Sequence, residues 1–165
     1  MKDTTIILSI VALLVLLPGR ATARNGSNYN LPTTGPKGIR NNNPGNIKIG
    51  PSNWQGKIPV SQNTDGVFEQ FTSLQYGIRA SLVLLQNYFV NGYNTVRKII
   101  NRWAPGSENP TSRYIDFVAN GLGVDPDYKL GIFRSIDLAY YIFKFELGGN
   151  YISKDQIRNA WQLIL

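Results

Sequence analysis

The sequence predicts an α+β, mainly helical domain with a small β element near its start, preceded by an N-terminal apolar segment and a linker. Three observations carry this expectation. Short stretches between residues 46 and 71 alternate apolar with polar positions, the period of half-buried strands. From Ser73 onward the period changes to helical, with Leu74, Ile78, Leu82, Leu85 and Phe89 falling on one face. Residues 6–17 are almost wholly apolar and run into a polar stretch broken by Gly and Pro.

The apolar run is twelve residues long. As a helix it would rise about 18 Å, short of the roughly 30 Å hydrocarbon core of a bilayer. That is the size of a signal-peptide core, and Ala21-Thr22-Ala23 has the small-x-small form of a cleavage site. Asp3 offsets Lys2 and Arg20 lies in the cleavage region, so an uncleaved anchor over residues 4–19 stays open. Residues 1–23 are therefore expected to be a signal peptide or a membrane anchor. Either places the protein in the periplasm or cell wall, or on a host or virion membrane. Residues 24–36, rich in Asn, Gly, Ser, Thr and Pro, read as a linker, and residues 37–165 as the folded domain.

Within the domain, Lys37 to Ile49 is expected to be an irregular loop ending in a short strand over 46–49. Trp54-Gln-Gly-Lys-Ile and Val67-Phe-Glu-Gln-Phe extend this to two or three strands, separated by the turn Asn63-Thr-Asp-Gly. Ser73 is positioned to cap the first long helix and Thr95 the next, over Val96–Trp103, which Ala104-Pro-Gly ends. Asn109-Pro110 opens a third helix carrying Tyr114, Phe117, Val118 and Leu122. Ser135 is read as the cap of a fourth, 136–147, closed by Gly148-Gly149. Ser153-Lys-Asp-Gln starts a last helix running to the C-terminus.

Composition narrows the chemistry. Among 165 residues there is no Cys and no His. This excludes disulfides, thiol nucleophiles, Ser-His-Asp triads and His-ligated zinc sites. Acid–base chemistry is left to Asp, Glu, Tyr or Lys, and only 10 carboxylates exist. A net charge of +7 favours polyanionic partners, but the cations are scattered and no basic run interleaved with aromatics marks a nucleic-acid groove. No metal, cofactor or nucleic acid is expected.

Glu146 stands out among the carboxylates. It closes an apolar helix, Tyr140-Tyr-Ile-Phe-Lys-Phe-Glu-Leu, with Ile142 and Phe143 on its face. Apolar surroundings and the negative end of the helix dipole both favour the neutral acid. A solvent-facing Glu in the last turn is the alternative. Glu69, between Phe68 and Phe71, is a candidate second acid or an outward-facing strand residue. Glu108 is a candidate substrate contact or a charge serving a helix N-terminus; Asp65, Asp125 and Asp127 read as turn residues. Trp54, Tyr114 and Tyr151 could stack on sugar rings, whereas Trp103 at a helix end reads as core.

Phe145-Glu-Leu-Gly-Gly-Asn resembles the helix-ending Glu signature of the lysozyme superfamily, including lytic transglycosylases and goose-type lysozymes. Gly38-Ile-Arg-Asn-Asn-Asn-Pro-Gly-Asn-Ile, Trp54-Gln-Gly, Phe68-Glu-Gln-Phe, Tyr76-Gly-Ile-Arg-Ala and Asn94-Thr-Val-Arg-Lys-Ile-Ile-Asn-Arg-Trp-Ala-Pro are similar to segments of phage-encoded, lysozyme-like virion or lysis proteins. Glu108-Asn-Pro-Thr and Tyr114-Ile continue the likeness. Leu147 departs from the Asn or Ser usual after the Glu. The Asn-rich loop precedes the Glu helix, the reverse of the usual order, and a circular permutation accounts for that. The resemblance implies a lysozyme-like domain cleaving peptidoglycan glycan strands, as a lytic transglycosylase or muramidase, during infection or lysis. It implies Glu146 as general acid and base with Glu69 as second acid, and Asn43, Asn46, Trp54, Glu108, Tyr114 and Tyr151 as substrate contacts. Two other readings remain: a non-catalytic, membrane-anchored virion structural protein with a lysozyme-like fold, and a wall- or nucleic-acid-binding module.

Overall fold

The computed structural model describes residues 29–106 and 111–164. The apolar segment 6–17, Asn109, Pro110 and most of the linker lie outside these residues. Six α-helices order the described part: α1 (Lys37–Arg40), α2 (Leu74–Val90), α3 (Val96–Trp103), α4 (Thr111–Leu122), α5 (Ser135–Leu147) and α6 (Lys154–Trp161). None is long and apolar enough to cross a membrane. The protein is mainly helical, as its apolar periods require.

The expected β element shrinks to two isolated antiparallel bridges, Lys48 with Phe68 and Lys57 with Phe71, and no strand forms among the described residues. The three segments do lie side by side. The Ile49 N–H donates to the Val67 carbonyl, Glu69 to Ile47, and Ile58 to Gln70. The pairing cannot lengthen because Gly45, Gly50, Pro51, Gly56 and Pro59 cut each segment to a few residues. Ahead of them, Lys37–Arg40 winds into a helical turn rather than an irregular loop.

Caps follow the sequence in part. Thr95 accepts from the Lys98 N–H, and Ser153 with Gln156 forms a reciprocal capping box. Ser73 occupies the cap position of α2 without a side-chain bond. Ser135 is not a cap: it is the first residue of α5, and its hydroxyl donates back to the Ile132 carbonyl in the preceding 3-10 turn (Ile132–Arg134). Gly148, left-handed at φ 68°, ends α5, and its N–H and that of Gly149 donate to Phe145 and Lys144. The last helix stops at Trp161, short of the C-terminus.

Helix α5 is apolar around most of its circumference and packs against α1, α2, α4 and α6. Its Leu138, Ala139, Ile142 and Phe143 are buried with Ile78, Leu82 and Leu85 of α2, Ile99 and Ile100 of α3, Ile115 and Val118 of α4 and Ile157 of α6. A side chain placed at the end of this central helix is therefore surrounded from several directions, and Glu146 is in that position.

Residues 41–46 thread across the helices close to their backbones. A Cβ on Gly77 of α2 would fall 1.8 Å from the Asn42 carbonyl oxygen, and one on Gly45 would fall 2.7 Å from the Trp103 ring. Only glycine permits either approach. The three buried asparagines convert this loop into a fixed platform. Asn41 donates to Asp65 and accepts from Gln70, Asn42 donates to the Phe71 carbonyl, and Asn43 donates to the carbonyls of Ile47 and Glu69. Asp65, expected as a turn residue, also accepts from the Val67 and Phe68 N–H groups. Burial works to raise its pKa, but these bonds and nearby Lys37 outweigh it and hold the carboxyl below its ordinary value.

Candidate active site

Three separate segments meet on the Glu146 carboxylate. The Asn46 side-chain amide, from the loop after α1, donates to Oε2 at 2.9 Å. The Tyr114 hydroxyl of α4 donates to Oε1 at 2.9 Å. The Trp103 side chain, at the end of α3, is a third hydrogen-bonding neighbour. Glu146 itself is half-buried rather than solvent-facing.

Each donor is held by its own element. Asn46 adopts a left-handed backbone, φ 48°, a conformation that asparagine tolerates better than most residues. Its Oδ1 is buried without a hydrogen-bond partner among the described residues. Tyr114 is fully buried, its ring stacked on Phe145 with centroids 3.8 Å apart and 14° between planes. Trp103 packs over Gly45 and meets Tyr88 edge-to-face.

Burial is the largest influence on Glu146 and raises its pKa above the ordinary carboxyl value; the bonds from Asn46, Tyr114 and Trp103 pull it partway back. Burial, followed by the adjacent carboxylate, pushes the Tyr114 phenol well above its ordinary range. The phenol therefore stays protonated and keeps donating. The result is a carboxyl group that holds a proton more readily than a surface Glu, oriented by fixed donors. That is the property a general acid needs near neutral pH.

The other candidates fare differently. Asn43, expected as a substrate contact, is wholly buried, and its donors and its acceptor are taken by backbone groups of Ile47 and Glu69. It supports the loop instead. Tyr114 is equally inaccessible, so it positions Glu146 and cannot stack on a sugar. Glu69 does not face outward as a strand residue would. It is fully buried, paired with Lys57 Nζ at 2.7 Å and accepting from the Gly50 N–H. None of its partners belongs to the Glu146 cluster. Lys57 also donates to the carbonyls of Gly50 and Ser52, so this pair ties down the 50–57 loop.

Trp54 lies half-buried on that loop. Tyr151, half-exposed, lines an open groove of about 590 Å³ with Tyr140, Tyr141 and Asn150. No hydrogen bond or ring contact among the described residues ties Trp54 or Tyr151 to Glu146. Glu108 lies outside the described residues. Asp125 and Asp127 serve the loop, Asp125 accepting from the Asp127 N–H and Asp127 pairing with Arg97.

Two contributors escape a reading by residue type. Trp103 looked like core because it ends an amphipathic helix; it is also a partner of the acid. Lys57 gave no local signal, since its partner is twelve residues away. Leu147, unusual after such a Glu, is buried against Gly38 of α1, and Asn46 supplies a bond to the carboxylate from elsewhere. No group of three or more Asp and Glu residues suited to a metal ion occurs among the described residues.

No protein-family model matches the chain. It is 36% identical over 130 residues to Protein P5 of Pseudoalteromonas phage PM2, a match covering 76% of this chain and 80% of that protein.

Proposed function

The chain belongs to the family of Protein P5 of phage PM2, and from that kinship with a phage protein and the chemistry around Glu146 we propose that it cleaves the glycan strands of peptidoglycan. One observation carries the reading: a half-buried carboxyl with a raised pKa, gripped by donors from three segments. Structural carboxylates are normally ion-paired or solvated, as Asp127 and Glu69 are. A carboxyl with a raised pKa and no ion-pair partner among the described residues is an expense to stability that a reaction would justify.

In the proposed reaction, protonated Glu146 gives its proton to the glycosidic oxygen as the bond to the anomeric carbon breaks. The resulting carboxylate, stabilised by Asn46, Tyr114 and Trp103, then removes a proton from the incoming nucleophile. That nucleophile is either the muramoyl 6-hydroxyl, leaving a 1,6-anhydro end, or water, leaving a reducing end. Glu69, committed to Lys57, takes no part, so a single carboxyl serves both steps. The lysozyme-like character of the domain belongs to this same proposal, as does a role for residues 6–17 in export or anchoring toward the wall.

Purified sacculi incubated with the full chain test the reading. Soluble muropeptides with anhydro ends identify a lytic transglycosylase, and reducing ends identify a hydrolase. Glu146→Gln should release neither. Release of cut peptides alone would overturn glycan cleavage, and sacculi left intact would favour a structural phage protein.

A further inference from the structure

The connection between α4 and α5 displays apolar side chains where a fold would ordinarily hide them. Phe133 is 82% exposed, Tyr128 59% and Ile132 46%, all within seven residues. Single exposed apolar residues are ordinary, but three within six residues are not. We propose that residues 128–134 form a tip that seats Tyr128, Ile132 and Phe133 in the headgroup region of an anionic lipid bilayer.

The tip is held in shape from beneath. Leu130 is buried as an anchor, and its N–H donates to the Asn94 carbonyl at 2.7 Å. The Arg134 guanidinium donates to the Leu122 carbonyl and its N–H to Gly131, while Ser135 donates to Ile132. The Phe133 ring lies over Gly131. These bonds hold the backbone of the 130–135 stretch in place beneath the exposed side chains.

Charge selects the surface. Lys129 is exposed between the apolar residues, while Asp127 is matched by Arg97 and Asp137 by Lys154 and Arg134. Asp125, exposed two residues before Asp127, is the remaining carboxylate of this stretch, and the chain as a whole carries +7. Amphipathic aromatics with apolar neighbours and cations suit the interface of an anionic membrane. Size argues against a second copy of the chain as occupant. An aromatic side chain buries about 150–250 Å², so three such partly exposed residues fall short of the roughly 800 Å² per partner of a stable protein interface. A fluid headgroup layer accepts a small knob that a flat protein surface would not.

The chain lacks cysteine, so Ile132→Cys in the full-length protein takes a single environment-sensitive nitrobenzoxadiazole label. With vesicles of phosphatidylcholine and phosphatidylglycerol, the emission should shift to the blue and brighten at least twofold. Brominated acyl chains should quench it, and vesicles of phosphatidylcholine alone should give much less. Adding Phe133→Ser should at least halve the response. A label that stays water-like while the protein floats with the vesicles would overturn the proposal, because another segment would then hold the membrane. So would a blue shift that appears without lipid and grows with protein concentration, which would mark contact between copies. The test is independent of glycan cleavage, which is read separately on sacculi.

Discussion

Replacing Tyr114 by Phe removes one oxygen from a fully buried ring and leaves its stacking on Phe145 in place. What disappears is the donor at 2.9 Å from Glu146 Oε1. A hydrogen bond to an ionised group contributes about 1.5–3 kcal/mol and one to a neutral group about 0.5–1.5 kcal/mol. The cost of the substitution must therefore depend on whether Glu146 is charged. Burial has already raised the Glu146 pKa, with the Tyr114 bond opposing it, so Tyr114→Phe moves the folded-state value further up. A raised carboxyl leaves stability intact below the unfolded pKa and erodes it as pH climbs through the folded one. Thermal unfolding followed by circular dichroism at pH 4 and pH 8 measures this. The variant should lose about 0.5–1.5 kcal/mol at pH 4 and about 1.5–3 kcal/mol at pH 8. At roughly 2–4 °C per kcal/mol for a chain of this length, the alkaline loss is on the order of 3–12 °C in Tm. If the variant still cleaves sacculi, the basic limb of its pH–rate profile should move upward. Equal losses at the two pH values, or a larger loss in acid, would refute the assignment of Tyr114 as donor to a titrating Glu146.

If Glu146 is the acid of the proposed cleavage, Glu146→Gln should lower it by on the order of 100- to 10,000-fold, measured as sacculus turbidity. Its stability should stay within about 1 kcal/mol, because the unpartnered Asn46 Oδ1 can turn to accept from the new amide. Lys57→Met strands the buried Glu69 charge and should cost about 3–5 kcal/mol in denaturant titrations, whereas a change near zero would mean the pair is not closed in solution. Gly77→Ala drives a methyl group to 1.8 Å from the Asn42 carbonyl oxygen, so a loss of about 3 kcal/mol is expected; an unchanged midpoint would contradict the path of the Asn41–Asn43 loop. Deleting residues 1–35 should leave a cooperatively melting domain, and loss of the transition would move the domain boundary upstream.

Much of the helical framework was legible because it depends on local patterns. The periodic Leu and Ile residues of α2, the Ala104-Pro-Gly stop and the Ser153 capping box each act within a few residues. The β expectation failed where alternation was present but the segments were too short for a ladder, a limit set by the spacing of Gly and Pro. Ser135 was misread because a preceding 3-10 turn absorbs its hydroxyl. In the candidate site, Glu146 was legible from a charge placed where an apolar helix should carry none. Its donors were less so. Tyr114 appeared as a sugar contact and Trp103 as core, since residue type cannot tell a ring that meets solvent from one that reaches a buried carboxylate. Asn43 and Asn46 sit three residues apart in the same motif, yet one ties the loop together and the other reaches the acid. Only the path of the backbone separates those roles.

The distances in chain that close the cluster carry a consequence for when the protein becomes competent. Asn46 and Glu146 are 100 residues apart and Tyr114 and Glu146 are 32 apart. During synthesis the acid is made more than four-fifths of the way along the chain, after every group that holds it. Nonlocal contacts of this kind form late, because the intervening chain must first surrender its loop entropy. Until those contacts form, the donors that orient Glu146 are not in place. The proton-holding character arrives together with the docking of α5. Orientation of this carboxyl is therefore timed by completion of the fold.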